Sequence, residues 1–148
     1  MQISIYSIAK NKDEIAIDEY IKMSQKYAKI NDVILFNNKI AKAQGRGRNA
    51  SLESYDEIYA DKLNGFCIGL DERGKLLDSY EFADLLKDRS EISFFIGGAY
   101  GLSDEFKSKM GEVISFSRLT LAHKVAKLVL YEQIFRGLCI KAGHPYHK

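Results

Sequence analysis

The chain has a single proline and no tryptophan, and its two cysteines, Cys67 and Cys139, stand far apart among apolar neighbours. Two such thiols make no disulfide framework, and buried free cysteines in a reducing compartment are expected. Three histidines and no paired cysteines give no spaced set of metal ligands, so no metal is expected. No apolar run approaches the roughly 18–20 residues of a membrane span. The opening Met-Gln-Ile-Ser-Ile-Tyr also lacks a basic segment leading into an apolar one, so a cytoplasmic protein without membrane contact is expected. One-sided charge is missing too. Lysine and arginine number 22 against 20 acidic residues, a net charge of +2, so any nucleic-acid contact must come from a local patch.

What remains is an ordinary globular composition: 148 residues, 46% hydrophobic and 28% charged. One domain spanning 1–148 is expected, since domains run to roughly 100–200 residues. A chain of this size buries about two-thirds of its unfolded surface and needs no staples. Short β-rich runs alternate with helical stretches. Strands are predicted over 2–8, 33–36, 66–70, 92–96 and 113–119. Helices are predicted over 13–30, over 51–63 with Ser51 or Ser54 as a cap, over 79–86 behind Asp78, over 103–110 behind Ser103, and over 122–142 up to Gly143. This alternation predicts an α/β fold with a mainly parallel sheet and helices on both faces. Ligands in such sheets gather at the carboxyl ends of the strands, where the turns at 71–74, 97–101 and 119–122 fall. The last helix is apolar on two stripes, one through Val125, Leu128 and Val129, another through Leu130 and Ile134. That is too much for a helix with a wet side, and a homodimer interface is expected there.

Four stretches could carry chemistry. Ile96-Gly97-Gly98-Ala99-Tyr100-Gly101-Leu102-Ser103 could cradle a ligand against backbone or could be a plain strand-to-helix turn. Its spacing is not that of a dinucleotide fingerprint. Residues 37–50 hold Lys39, Lys42, Arg46 and Arg48, with no acidic residue between Asp32 and Glu53. This is either a solvated loop or a flexible arm for phosphates. The terminal Gly143-His144-Pro145-Tyr146-His147-Lys148 crowds two imidazoles, a phenol and an ammonium behind a helix end, and is either functional or a frayed tail. His123, at the start of the last helix, is structural or catalytic, and nothing near it in sequence forms a triad.

Three of these pieces occur in one order: 96–103, Leu119-Thr120-Leu121-Ala122-His123, and His144-Pro145-Tyr146-His147-Lys148. Together they resemble the SPOUT methyltransferases, and among them a small bacterial type that acts on ribosomal RNA. The likeness runs over the whole chain, including Leu70-Asp71 and the basic stretch 45–49. It implies a C-terminal trefoil knot, a homodimer, and S-adenosylmethionine bound in the knot. It further implies methylation of N3 of a pseudouridine in 23S ribosomal RNA, on assembled ribosomes. Carried over by position, the cofactor site falls on Leu70, Asp71, Gly98, Ser117, Arg118, Leu119, Thr120, Leu121 and Ala122. The catalytic candidates are His123, Tyr146, His147 and Lys148, and the RNA-binding candidates are Lys39, Lys42, Arg46, Arg48 and Lys127. The family's usual proline and glutamate are Ala99 and Tyr100 here, its proline is Ala122, and its arginine is Lys127. A non-catalytic ribosome- or RNA-binding module of the same fold, or a knotted enzyme acting on tRNA, are the competing readings.

Overall fold

Apolar residues alternating along Gln2–Ile8 form the strand β1, an interior strand of the sheet, with Ile3 and Ile5 facing one side and Tyr6 and Ile8 the other. The computed structural model describes residues 1–12 and 15–148. The other strands are β2 (Lys29–Leu35), β3 (Phe66–Leu76), β4 (Glu91–Ile96) and β5 (Glu112–Ser115). They pair in the order β2-β1-β4-β3-β5, every pair parallel. The helices are α1 (Ile15–Ser24), α2 (Asn38–Arg46), α3 (Arg48–Tyr59), α4 (Ser79–Leu85), α5 (Asp104–Ser108) and α6 (His123–Ala142).

Two apolar cores flank the sheet. One joins Ile3, Ile5, Ile92 and Phe94 to Ile17 of α1, Phe82 of α4, and Leu130, Ile134 and Leu138 of α6. The other joins Tyr6 and Phe95 to Ile40 of α2, Tyr55 and Tyr59 of α3, and Phe106 of α5. The α/β architecture with helices on both faces is therefore as expected.

Some elements depart from the sequence reading. The predicted helix over 13–30 ends at Ser24 and gives way to β2; its start at Asp13 and Glu14 lies outside the described residues. The basic stretch 37–50 is helical rather than a flexible arm: α2 starts behind Asn37, whose side chain accepts from the Ile40 amide, and it buries only Ile40 and Ala43. Ser51 and Ser54 lie inside α3, and their hydroxyls donate back to the carbonyls of Gly47 and Ser51. β3 runs past Leu70 to Leu76, with residues 71–74 displaced where the register against Ile114 slips from Leu70 to Lys75. β5 stops at Ser115. Asp78 caps α4 in a capping box with Glu81, Ser103 caps α5, and Gly143 closes α6 in the left-handed conformation, all as predicted.

Candidate functional site

The carboxyl ends of β3, β4 and β5 lie side by side, and the loops leaving them enclose a cavity of about 660 Å³. A site within roughly 300–1,000 Å³ suits a small organic ligand. Leu70 and Asp71 line it from β3, Gly98 from the loop after β4, and Ser117, Leu119, Thr120, Leu121 and Ala122 from the segment after β5. His123 closes the rim at the start of α6. Of the expected cofactor residues, Arg118 alone lies outside this lining, as an exposed side chain.

The loop after β4 is held from behind by α3. The Tyr59 hydroxyl donates to the Ile96 carbonyl at 2.7 Å, and the Ser103 hydroxyl donates to Asp56 at 2.7 Å. Between them the loop closes on itself, with the Gly101 amide donating to the Gly98 carbonyl at 3.0 Å and Gly101 at φ +77°. A Cβ on Gly98 would stand 2.5 Å from the Tyr55 ring, so only glycine lets the backbone lie this close. Tyr55 is fully buried beneath. Burial pushes its phenol upward, opposed by the neighbouring Tyr100 and Ala99 backbone.

Asp71 sits at the mouth. Its Oδ1 accepts from the Arg73 amide at 2.8 Å, and its Oδ2 meets Lys107 Nζ at 3.0 Å. Burial raises the carboxyl, but the Arg73 amide and the Lys107 ammonium outweigh it, so its pKa lies below the ordinary carboxylate value. In the segment after β5, the Ser115 hydroxyl donates to the Ser117 carbonyl at 2.7 Å and the Leu119 amide to Ser117 Oγ at 2.9 Å. The Thr120 hydroxyl donates to the Glu72 carboxylate, tying this segment to β3. Leu119 is left 72% exposed.

The other candidates scatter. Lys39, Lys42 and Arg46 share the exposed side of α2, with Lys39 paired to Glu57. Arg48, expected to bind RNA, reaches the cavity lining. Lys127 is misplaced in the sequence reading: it is 2% exposed, 3.0 Å from Asp32 Oδ1 and 3.2 Å from Ser7 Oγ. It joins α6 to β2 and β1 and presents no charge to a surface ligand. Tyr146 and His147 fold back on the far half of α6, at Glu132 and Arg136, while Lys148 is exposed. From His123 to Arg136 the helix rises roughly 20 Å, so within one chain His123 and the tail are apart. Glu132 and Arg136 of α6 and Tyr80 of α4, which the sequence reading did not single out, lie against this tail.

These features define an α/β domain with a small-molecule cavity among the loops at one end of a parallel sheet. A family model described as "Predicted SPOUT methyltransferase" matches residues 1–147, and the chain belongs to that family. Within it, the chain is similar to proteins named ribosomal RNA large subunit methyltransferase H. It is 62% identical to the one from Campylobacter concisus over 151 aligned residues, covering 100% of both chains. It is 60% identical to the one from Campylobacter hominis, covering 99% of each. Among solved structures, the tRNA (m1G37) methyltransferase of Aquifex aeolicus shares the fold, with a TM-score of 0.55 at 14% identity over 92% of this chain and 69% of that one. No helix among the described residues is long and apolar enough to cross a membrane.

Proposed function

We propose that this protein is a cytoplasmic methyltransferase that uses S-adenosylmethionine to methylate N3 of a pseudouridine in the large-subunit ribosomal RNA, working as a homodimer. The observation that carries the reading is the cavity built on Gly98, in a chain 62% identical to a ribosomal RNA large subunit methyltransferase H.

The residues present fit the cofactor. The cavity has the volume for it, Ile96, Leu102 and Leu121 offer apolar walls to an adenine, and the loops offer backbone groups at Gly98, Leu119 and Leu121. Asp71, held ionised by Lys107 and the Arg73 amide, suits a hydroxyl or cationic group at the mouth. When bound, the sulfonium supplies an electrophilic methyl group. The protein's part is positioning and electrostatics, since no nucleophile of its own is required. Lys39, Lys42 and Arg46 would meet the RNA backbone from α2, and Arg48 would do so at the cavity rim.

The second subunit completes this reading. Val125 and Leu128 are 49% and 39% exposed on the first half of α6. Packing that face against a second copy would cover it and could bring one chain's Tyr146, His147 and Lys148 to its partner's cavity, beside His123.

The test is methyl transfer from labelled S-adenosylmethionine to ribosomes from a strain lacking the gene, followed by nucleoside digestion and mass analysis. Label in N3-methylpseudouridine of the large-subunit RNA is expected. Label in another nucleoside would move the substrate, and cofactor binding without transfer to any RNA would favour the non-catalytic reading.

A further inference from the structure

His147 has one strong polar partner. Arg136 Nη1 lies 3.0 Å from its Nδ1. A guanidinium carries five N–H donors and nothing to accept with. This one stays charged, because its hydrogen bonds to Glu132 raise it above the ordinary arginine value. Its Nε and Nη2 donate to Glu132 Oε1 at 3.0 and 2.5 Å. In this contact His147 Nδ1 therefore faces a donor and is the accepting atom. A proton there would set N–H against N–H and one positive charge against another. A neutral imidazole in this contact has its hydrogen on Nε2.

We propose that Arg136 and Glu132 are positioning residues that lock His147 as this Nε2–H tautomer, so that in methyl transfer His147 donates a hydrogen bond to a carbonyl oxygen of the target base rather than taking its N3 proton. The inference rests on the reading that the tail serves methylation. The lock is built from several elements. The Tyr146 hydroxyl donates to Glu132 Oε1 at 3.2 Å, and the Tyr146 ring lies 4.8 Å from the Arg136 guanidinium carbon. Gln133 Nε2 donates to Glu132 Oε2 at 2.7 Å, and the Ser79 hydroxyl of α4 donates to Gln133 Oε1 at 2.9 Å. Tyr80, 60% exposed, stands edge-on to the imidazole at 4.8 Å. The titratable and charged groups around His147 and its lock are thus Glu132 and Arg136 of α6, Tyr80 of α4, Tyr20 of α1 beside Arg136 and Tyr146, and Tyr146, His144 and Lys148 of the tail.

The chemistry balances without a protein base. Hydroxide from the solvent takes the N3 proton and becomes water, and the charge left on N3 and its two flanking carbonyl oxygens is what the Nε2–H donor stabilises. N3 then bonds the methyl carbon as the C–S electron pair returns to sulfur, giving a neutral thioether.

The test has two readouts. In the full-length protein labelled with ¹⁵N-histidine, long-range proton–nitrogen correlations report each ring's tautomer, with His147 assigned by its loss in H147Q. A neutral Nε2–H ring is expected in the wild type, and a tautomer mixture in R136M. An imidazolium or an Nδ1–H ring in the wild type overturns the proposal. The second readout is single-turnover methyl transfer to large subunits. H147Q, whose amide keeps a donor near Nε2, should stay within about tenfold of wild type, while H147A falls by about 100-fold or more. The rate should keep rising with pH through the histidine range. H147Q as slow as H147A, with a plateau above the ordinary histidine pKa of about 6.5, would make His147 the base and overturn the proposal. The tautomer is read without turnover, so a wild type that transfers no methyl group sinks the enzyme reading while the tautomer still decides the lock.

Discussion

Gly98 has no room for a methyl group. The side chain in the way, Tyr55, is fully buried, so a Cβ 2.5 Å from its ring must push the loop outward into the cavity. G98A is expected to weaken S-adenosylmethionine binding at least tenfold and to cost about 1–3 kcal/mol of stability; calorimetric titration and urea melts measure the two. Asp71 makes a second prediction. Its pKa is lowered in the folded state, so its contribution to stability is full above the unfolded value of about 3.9 and is lost as pH falls through the folded value. The gap between the urea midpoints of the wild type and D71N should be constant near neutrality and close below about pH 4. A gap that instead closed on raising the pH from 4 would mean burial, not Lys107 and the Arg73 amide, sets this carboxyl. The glycine's importance was half legible, since a Gly-Gly pair after a strand reads as a turn or as a cradle. What decides between them is Tyr55, more than forty residues earlier in the sequence, and no local pattern links the two.

At the scale of elements, Lys127 shows where position-by-position reasoning fails. The resemblance assigned Lys127 to RNA, yet it is buried against Asp32 and Ser7, with the Tyr131 hydroxyl on the same carboxylate at 2.8 Å. K127M leaves that carboxylate without its cation and should cost about 3–5 kcal/mol in urea melts. A loss below 1 kcal/mol with weakened ribosome binding would return Lys127 to the surface. β1, β4 and the helices α4, α5 and α6 were legible because their apolar runs and caps agree with their period, whereas the first half of β2, from Lys29, was read as the end of a helix, and β5 was read on to Leu119. α2 was not legible, because it buries two side chains and its other residues are polar, which is the composition of a loop; Asn37 three residues before Ile40 was the overlooked start signal. β3 beyond Leu70 was hidden because residues 71–74 bulge out of register, and pairing with β5 resumes only at Lys75 and Leu76, against Ile114 and Ser115.

For the whole molecule, the separation of His123 from the tail within one chain gives the homodimer reading a sharp consequence. A chain with a defective cavity, G98A, and one with a defective tail, H147A, are each expected to be impaired. Co-refolded in equal amounts, they form heterodimers in half the pairs, each with one sound cavity facing one sound tail. Activity should then return to roughly a quarter of wild type. Failure to recover, with mixed dimers verified by mass, would place tail and cavity in the same chain or separate their roles. The parallel α/β class and the division of helices between two faces were read correctly from the alternation of elements, and the distance between rim and tail was not, because it depends on which way the last six residues turn.

The sheet order also sets a timetable. β1, the first strand in chain order, takes its two neighbours from β2 and from β4, and Gln2 is matched to Glu91. When it leaves the ribosome, one of its two edges has no partner until β4 has followed, and the cavity's third wall, after β5, comes later still. Closing such distant pairings makes folding slow and leaves a strand edge open to other chains meanwhile. The nascent protein thus depends on β4, some ninety residues further on, to protect the seven residues of β1, and a product truncated before it would be prone to stick to its neighbours rather than merely lack activity.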